Sequence, residues 1–351
     1  MEKKNQKVTI YDIAKLAGVA PGTVSRALNH IGYIKQETQE KVEAAAEELN
    51  YIPTRAAQSL KTKCTGLLLV AIPDMENPFY VQMISAIQEE VRESGYSMIL
   101  YYTNGSIEYE KKAFDLLREH AADGMIMVNL NHITPYLSYL KKPHLPLVLC
   151  QMSDHLADEY REYGFDDICI DTKRAVMEVV DLFCRNGHTK IGFIGGNQTL
   201  PAFLDRYHGY EEGLSRHRLP REERYVVLAE NWLEADGYQA AKELHERGDL
   251  PTAICFSHDL MALGAMDYFQ EQGIRIGEEL AIAGIDNINI CQKMSPALTS
   301  VCIHQNQMGR LAAQRVLSRI HQKRVGEFIK TVLTGELICR GSSGQIFGKK
   351  G

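Results

Sequence analysis

The chain has 351 residues, 45% of them hydrophobic and 24% charged, with a formal net charge of −6. Those proportions exclude a disordered, collagen-like or coiled-coil chain, and at roughly 150 residues per domain the length predicts two domains, or one bilobed unit plus a small one. The charge is uneven: residues 1–63 hold ten Lys/Arg against seven Asp/Glu, so this end carries +3 and the remainder −9, a pattern that predicts a polyanion partner for the small cationic end.

The basic start, Met1 to Lys7, is not followed by the apolar stretch of ~7–15 residues that an export signal needs. No run approaches the ~18 apolar residues of a membrane span, so a cytoplasmic protein without membrane contact is expected. Thr9 and Asp12 then form a capping-box-like start in which Thr accepts from the helix's first N–H groups. Ile13, Leu16 and Ala17 give that helix its apolar face, and Gly18 ends it. Pro21 stands where a first helical residue costs no hydrogen bond, and a second helix is predicted over 21–28 with Val24, Ala27 and Leu28 inward. A third, over 36–49, carries Val42, Ala45, Ala46 and Leu49 on one side. Three short helices with a glycine turn after the first describe a helix-turn-helix.

These residues carry a resemblance. Val8-Thr9-Ile10-Tyr11-Asp12-Ile13-Ala14-Lys15-Leu16-Ala17-Gly18-Val19, then Thr23-Val24-Ser25-Arg26-Ala27-Leu28-Asn29, resembles the DNA-binding head of the lactose-repressor/galactose-repressor (LacI-type) family. Gly32-Tyr33-Ile34 and Leu49-Asn50-Tyr51-Ile52-Pro53 continue it. The resemblance implies that 21–28 is the recognition helix in the major groove of double-stranded DNA. Its implied DNA-contact set in the head is Thr9, Tyr11, Pro21, Gly22, Thr23, Ser25, Arg26, Asn29 and Tyr33. Arg26 has the chemistry for a bidentate pair with guanine, worth ~1–3 kcal/mol of discrimination; Thr23, Ser25 and Asn29 suit phosphates, which position without reading sequence. Two departures stand out. Ala20 replaces the family's usual N-cap Ser, forgoing ~1 kcal/mol, and Pro21-Gly22 occupy variable base-reading positions without a side-chain donor.

Pro53 opens a segment, Thr54 to Lys61, that resembles the family's hinge helix, with Arg55, Ala57 and Lys61 at the DNA and Leu60 as the minor-groove wedge. Two turns are too short to be stable alone, since isolated helices need roughly 12–15 residues. Ordering is therefore expected on DNA, where an apolar wedge bends the duplex.

From residue 66 apolar runs alternate with amphipathic stretches. Strands are predicted at 66–72, 97–102, 124–128, 146–150, 168–170, 190–195, 226–228, 253–256 and 280–285. Helices are predicted at 79–94, 107–119, 172–186, 202–216, 233–246, 259–272 and 306–322. Apolar strands separated by helices indicate parallel sheets covered on both faces, and so many strands imply two Rossmann-like lobes. The expected fold is a small all-α helix-turn-helix head plus an α/β body of two Rossmann-like lobes. The expected domains are a head at 1–52, a hinge at 53–63, the body at 64–342 and a flexible tail at 343–351. Eight cysteines without a CxxC, and twelve histidines without HxxxH or HExxH, predict neither disulfides nor a metal, and no cofactor motif is present.

The body resembles the same family more loosely, through Pro73-Asp74-Met75-Glu76-Asn77-Pro78-Phe79-Tyr80, Arg206-Tyr207-His208-Gly209, Asp259-Leu260-Met261-Ala262 and Gly284-Ile285-Asp286-Asn287. That implies a body similar to periplasmic sugar-binding proteins, with an effector in the cleft. The implied cleft residues are Phe79, Tyr80, Asp171, Arg206, Trp232, His258 and Asp286. Carboxylates and Arg bond adjacent hydroxyls, and aromatic rings cover a sugar's C–H face, so this set favours a neutral carbohydrate. Plainer roles compete: Asp286 could cap the following segment, Trp232 could be core packing, and His258 stands where the family often has Asn. His188 and His208 read as structural or surface residues.

The function expected from these features is a sequence-specific transcriptional repressor under small-molecule control. A two-fold homodimer fits a palindromic operator whose half-sites lie one helical turn apart, and the tail has no leucine heptads for a tetramer. A transport-type sugar-binding protein shares the body but not the cationic head. A doubly wound enzyme would need a nucleophile elbow, P-loop or metal cluster, and none is present in the sequence.

Overall fold

The computed structural model describes residues 8–29, 32–51, 64–129, 131, 135, 145–153, 164–196, 198–321 and 328–344. The chain divides between Thr65 and Gly66 into two compact units. The first holds α1 (Ile10–Ala17), α2 (Pro21–Leu28) and α3 (Gln36–Glu48). Their shared core is Ile13, Ala14, Val24, Ala27, Val42, Ala45 and Ala46. At the start of α1, Asp12 accepts from the Thr9 N–H at 2.9 Å and from the Thr9 hydroxyl at 2.7 Å. The Thr9 hydroxyl thus also donates to the carboxylate, the stronger acceptor, within the capping box that the sequence suggests. Gly18 closes the helix at φ 69°, a left-handed conformation that glycine takes without a Cβ penalty.

The second unit contains twelve strands and seven helices among the described residues. In chain order they are β1 (Leu67–Ile72), α4 (Pro78–Glu93), β2 (Ser97–Tyr102), α5 (Ile107–Arg118), β3 (Gly124–Asn129), β4 (Leu147–Gln151) and β5 (Asp166–Ile170). Then follow α6 (Thr172–Arg185), β6 (Ile191–Gly195), α7 (Pro201–Arg216), β7 (Val226–Leu228), α8 (Glu234–Glu246), β8 (Ala253–Phe256), α9 (Asp259–Glu271) and β9 (Ala281–Asp286). The last elements are β10 (Thr299–Cys302), α10 (Gln305–Ile320), β11 (Lys330–Leu333) and β12 (Glu336–Ile338).

One sheet has the order β11-β5-β4-β3-β1-β2 and is parallel throughout. The other runs β12-β10-β9-β8-β6-β7, parallel except for β12 against β10. Along β1, Leu68, Val70 and Ile72 join the core that includes Phe79, Met83 and Ile87 of α4, while Leu69 and Ala71 pack with Ala113, Phe114 and Leu117 of α5. Both faces are apolar because both are covered. The chain passes between the lobes three times, after β5, after β10 and after β11.

Strands β10, β11 and β12 are absent from the sequence expectation. They are short, and β10 begins with Thr299 and Ser300, buried hydroxyl residues rather than an apolar run. β5 also starts earlier than expected, at two acids. Asp166 is buried because Arg319 on α10 grips it with two hydrogen bonds of 2.9 and 3.0 Å, and Asp167 because Gln151 donates to it at 2.7 Å. Asp166 also accepts the Ile329 N–H at 2.8 Å, and the Arg319 guanidinium lies 4.5 Å over the Phe328 ring. This cluster fastens the segment leading into β11 beside β5.

The body also extends past the expected boundary at 342. Ser343 is buried, and the Asn186 amide donates to the carbonyls of Ser343 and Gly344 at 2.9 and 2.8 Å, so these two residues are packed rather than tail. The rest of the expected tail lies outside the described residues, as does the expected hinge with Arg55, Ala57, Leu60 and Lys61.

Candidate functional site

In the head, α2 turns Val24 and Ala27 inward and leaves Gly22 and Arg26 exposed. Pro21, Thr23, Ser25 and Asn29 are half-buried. Tyr11 and Tyr33 are 69% and 92% exposed, large aromatic rings held in water on a small domain. The head thus displays a cation and two amphipathic rings, groups suited to a nucleic-acid surface. Some expected donors are engaged internally. The Asn29 amide donates to the Ser25 carbonyl at 2.6 Å, and the Thr9 hydroxyl is committed to Asp12.

In the body, strand ends and helix starts of the two lobes converge on a narrow cleft. The first lobe contributes Asn77, Phe79 and Tyr80 at the head of α4, and Met152 just past β4. Asn77 caps α4 by accepting the Phe79 N–H at 2.9 Å, with Pro78 as first helical residue. This cap sets Phe79 and Tyr80 edge to face, ring centroids 4.9 Å apart. The second lobe contributes Ala202, Phe203 and Arg206 from α7, Trp232 before α8, His258 before α9, and Asp286 at the end of β9.

Arg206 is 2% exposed. Its Nη2 donates to Asp286 Oδ1 at 3.2 Å and its Nη1 to the Ser257 carbonyl, while Nε has no partner in the protein. A buried donor left open is costly unless a ligand or water fills it. Burial raises the Asp286 carboxyl above its ordinary range; Arg206 opposes the rise and the nearby Asp259 adds to it. Burial, with help from Arg206, holds His258 well below its usual value, so its ring is neutral; Nδ1 lies 2.9 Å from the Ser257 hydroxyl. Tyr80 is pushed upward by burial and by Asp74 and Asp286, so its phenol stays protonated. Phe203 bridges Trp232 and His258, with ring centroids at 5.1 and 4.9 Å. The cleft can therefore bond hydroxyls through one guanidinium and one carboxyl, between aromatic walls.

Six of the seven expected cleft residues are brought together: Phe79, Tyr80, Arg206, Trp232, His258 and Asp286. Asp171 is not among them. It caps α6, accepting the Arg174 N–H at 2.9 Å, and borders a separate groove with Lys173, Glu178, Glu212 and Arg216. Its carboxylate satisfies its own helix start instead of facing the cleft. Asn77, Met152, Ala202 and Phe203 were not anticipated. Asn77 was signalled as an Asn-Pro helix start, and Phe203 by its place one turn before Arg206 on the same helix face.

A helix-turn-helix head in one chain with a two-lobed body and a polar, aromatic-lined cleft between the lobes defines a ligand-responsive DNA-binding regulator. Residues 9–54 match bacterial regulatory proteins of the lacI family, and residues 180–343 match a periplasmic binding protein-like domain. The chain is 32% identical over 332 residues to the HTH-type transcriptional repressor PurR of Vibrio atlanticus (strain LGP32), covering 91% of this chain and 95% of that one. Among solved structures it is similar to the lac repressor dimer bound to operator and the anti-inducer ONPF (TM-score 0.82, 25% identity, 97% and 100% of the two chains). It is also similar to the transcriptional regulator CelR in complex with cellobiose (TM-score 0.70, 26% identity, 95% and 99%). The chain belongs to the lacI family of bacterial regulatory proteins. It is a DNA-binding transcriptional regulator governed by a small-molecule effector, and its relatives are repressors rather than enzymes. No helix among the described residues is long and apolar enough to cross a membrane.

Proposed function

We propose that the chain is a cytoplasmic repressor that binds a palindromic operator as a homodimer and takes a neutral carbohydrate in its cleft. The observation that carries the effector class is the buried Arg206–Asp286 pair set among Phe79, Tyr80, Phe203 and Trp232. One guanidinium already paired with a carboxyl leaves little excess positive charge for a phosphate or acid, while adjacent hydroxyls can use both partners. Cellobiose in the CelR structure supports the sugar reading, and the operator-bound lac repressor dimer supports the assembly.

The sugar reading is tested with the only tryptophan, Trp232. Neutral mono- and disaccharides, cellobiose included, are titrated against their acids and phosphates while indole emission is followed. A saturable shift with a neutral sugar, weakened in Asp286→Asn, is the expected result. A response confined to acids or phosphates would overturn the class. For the head, Arg26→Ala should cost about 1–3 kcal/mol on the best duplex recovered from random sequence and much less on unselected DNA. An equal loss on both, measured at fixed salt, would make Arg26 a phosphate contact only.

A further inference from the structure

Asp259 opens α9 directly behind the cleft and is fully buried, yet it does not line the cleft. Its Oδ2 accepts the Ile288 N–H at 2.9 Å and the Cys291 thiol at 3.1 Å; its Oδ1 accepts the Ser300 hydroxyl at 2.6 Å. The Ser300 oxygen in turn accepts the Asn287 N–H at 2.9 Å. One carboxylate thereby fixes, directly or through one hydroxyl, the two residues that follow Asp286. The approach is close: a Cβ placed on Gly284 would lie 2.3 Å from Asp259 Oδ1, so glycine at this point of β9 lets the carboxylate reach the strand.

The turn it holds is a strained one. Asp286 has φ 115° and Asn287 φ 51°, two consecutive residues with a Cβ in a region that favours glycine. Such conformations are unfavourable and persist only where the surroundings over-determine them. Arg340 holds the turn from the other side, donating to Asn287 Oδ1 at 2.7 Å and to the Leu298 carbonyl at 2.6 Å. The product of this strain is the direction of Asp286, whose carboxyl meets Arg206 in the cleft.

We infer that Asp259 is a positioning residue for the effector cleft, holding the turn at 286–288 so that Asp286 faces Arg206. The inference rests on the reading of Arg206 and Asp286 as effector contacts, but its physical core is testable without any effector. In the full chain, Asp259→Asn should speed amide exchange at Asn287 and Ile288 by about tenfold, the factor expected from one lost hydrogen bond. The amides of β9 and α9 should keep their wild-type rates. Ser300→Ala should do the same at Asn287, and it serves where Asp259→Asn folds poorly.

A second readout separates positioning from a general loss of stability. The charged and titratable groups facing Asp286 are Arg206 on α7, Asp259 and His258 at the head of α9, and Tyr80 on α4. Because the Asp259 charge raises the Asp286 carboxyl, Asp259→Asn should move the pH midpoint of Trp232 emission downward, and Asp286→Asn should remove that transition. Unchanged exchange at 287 and 288, exchange that rises equally across the second lobe, or an unmoved midpoint would each overturn the inference. Should these shifts occur while Asp286→Asn retains a full cellobiose or other sugar response, the turn-holding role stands and the effector reading of the cleft falls.

Discussion

Arg206→Ala should abolish the sugar response and cost the body about 3–5 kcal/mol near neutral pH, the penalty for leaving one partner of a buried ion pair alone. The stranded partner is Asp286, which is 3% exposed and lines the cleft. Its carboxyl is already raised by burial, and Arg206 is the group that restrains that rise. Without Arg206 the carboxyl takes a proton more readily, so the folded variant binds more protons than the unfolded chain. Stability relative to wild type should therefore recover as pH falls from about 9 to about 6. Urea denaturation at the two pH values checks this, and an equal loss at both would show that the Asp286 charge is not what the variant suffers from. Arg206→Lys should not restore the response, because an ammonium cannot reach Asp286 and the Ser257 carbonyl with the geometry of a planar fork.

The second large effect lies far from the cleft. Arg319→Ala should cost about 3–5 kcal/mol, because Asp166 is 2% exposed and loses a bidentate partner while still committed to the Ile329 N–H. The stacked Phe328 ring loses its cation as well. Replacing both partners with apolar residues, Arg319→Met with Asp166→Leu, should return most of the loss, since no charge then remains buried. A single-variant loss below about 1 kcal/mol in chemical denaturation would show the pair to be solvated in practice.

Much of the architecture was legible because this fold writes its buried strands as uninterrupted apolar runs. Leu68 and Leu69 point to opposite faces of β1 and both are buried, so the run needs no polar alternation. The last strands in the chain carry no such signal. Thr299 binds Ser343 by its hydroxyl at 2.8 Å, and the Ser342 hydroxyl accepts the Thr299 N–H while donating to the Ile282 carbonyl. A strand buried through hydroxyl partners more than forty residues away has no local pattern to read. The cleft divides the same way. Arg206 and Asp286 stand in stretches that resemble the family, Trp232 follows only from the resemblance of the body as a whole, and each lines the cleft. Asp171 was misplaced because an acid between a strand and a helix looks alike whether it faces a ligand or caps the helix. Phe203 and Asp259 were missed because an aromatic in a helix reads as core, and an acid at a helix start reads as a cap.

The three passages between the lobes are very short: one residue separates β5 from α6, and two each separate β10 from α10 and β11 from β12. Three short tethers side by side behave as a strip hinge, which resists twist and slide far more than bending. The body is thereby reduced mechanically to a single angle. Whatever fills the cleft, from either side, acts on that angle alone, so two dissimilar molecules that prop it equally would give the same regulatory state. Selectivity would then rest on which molecules fit, and the output on how far each lets the strip bend.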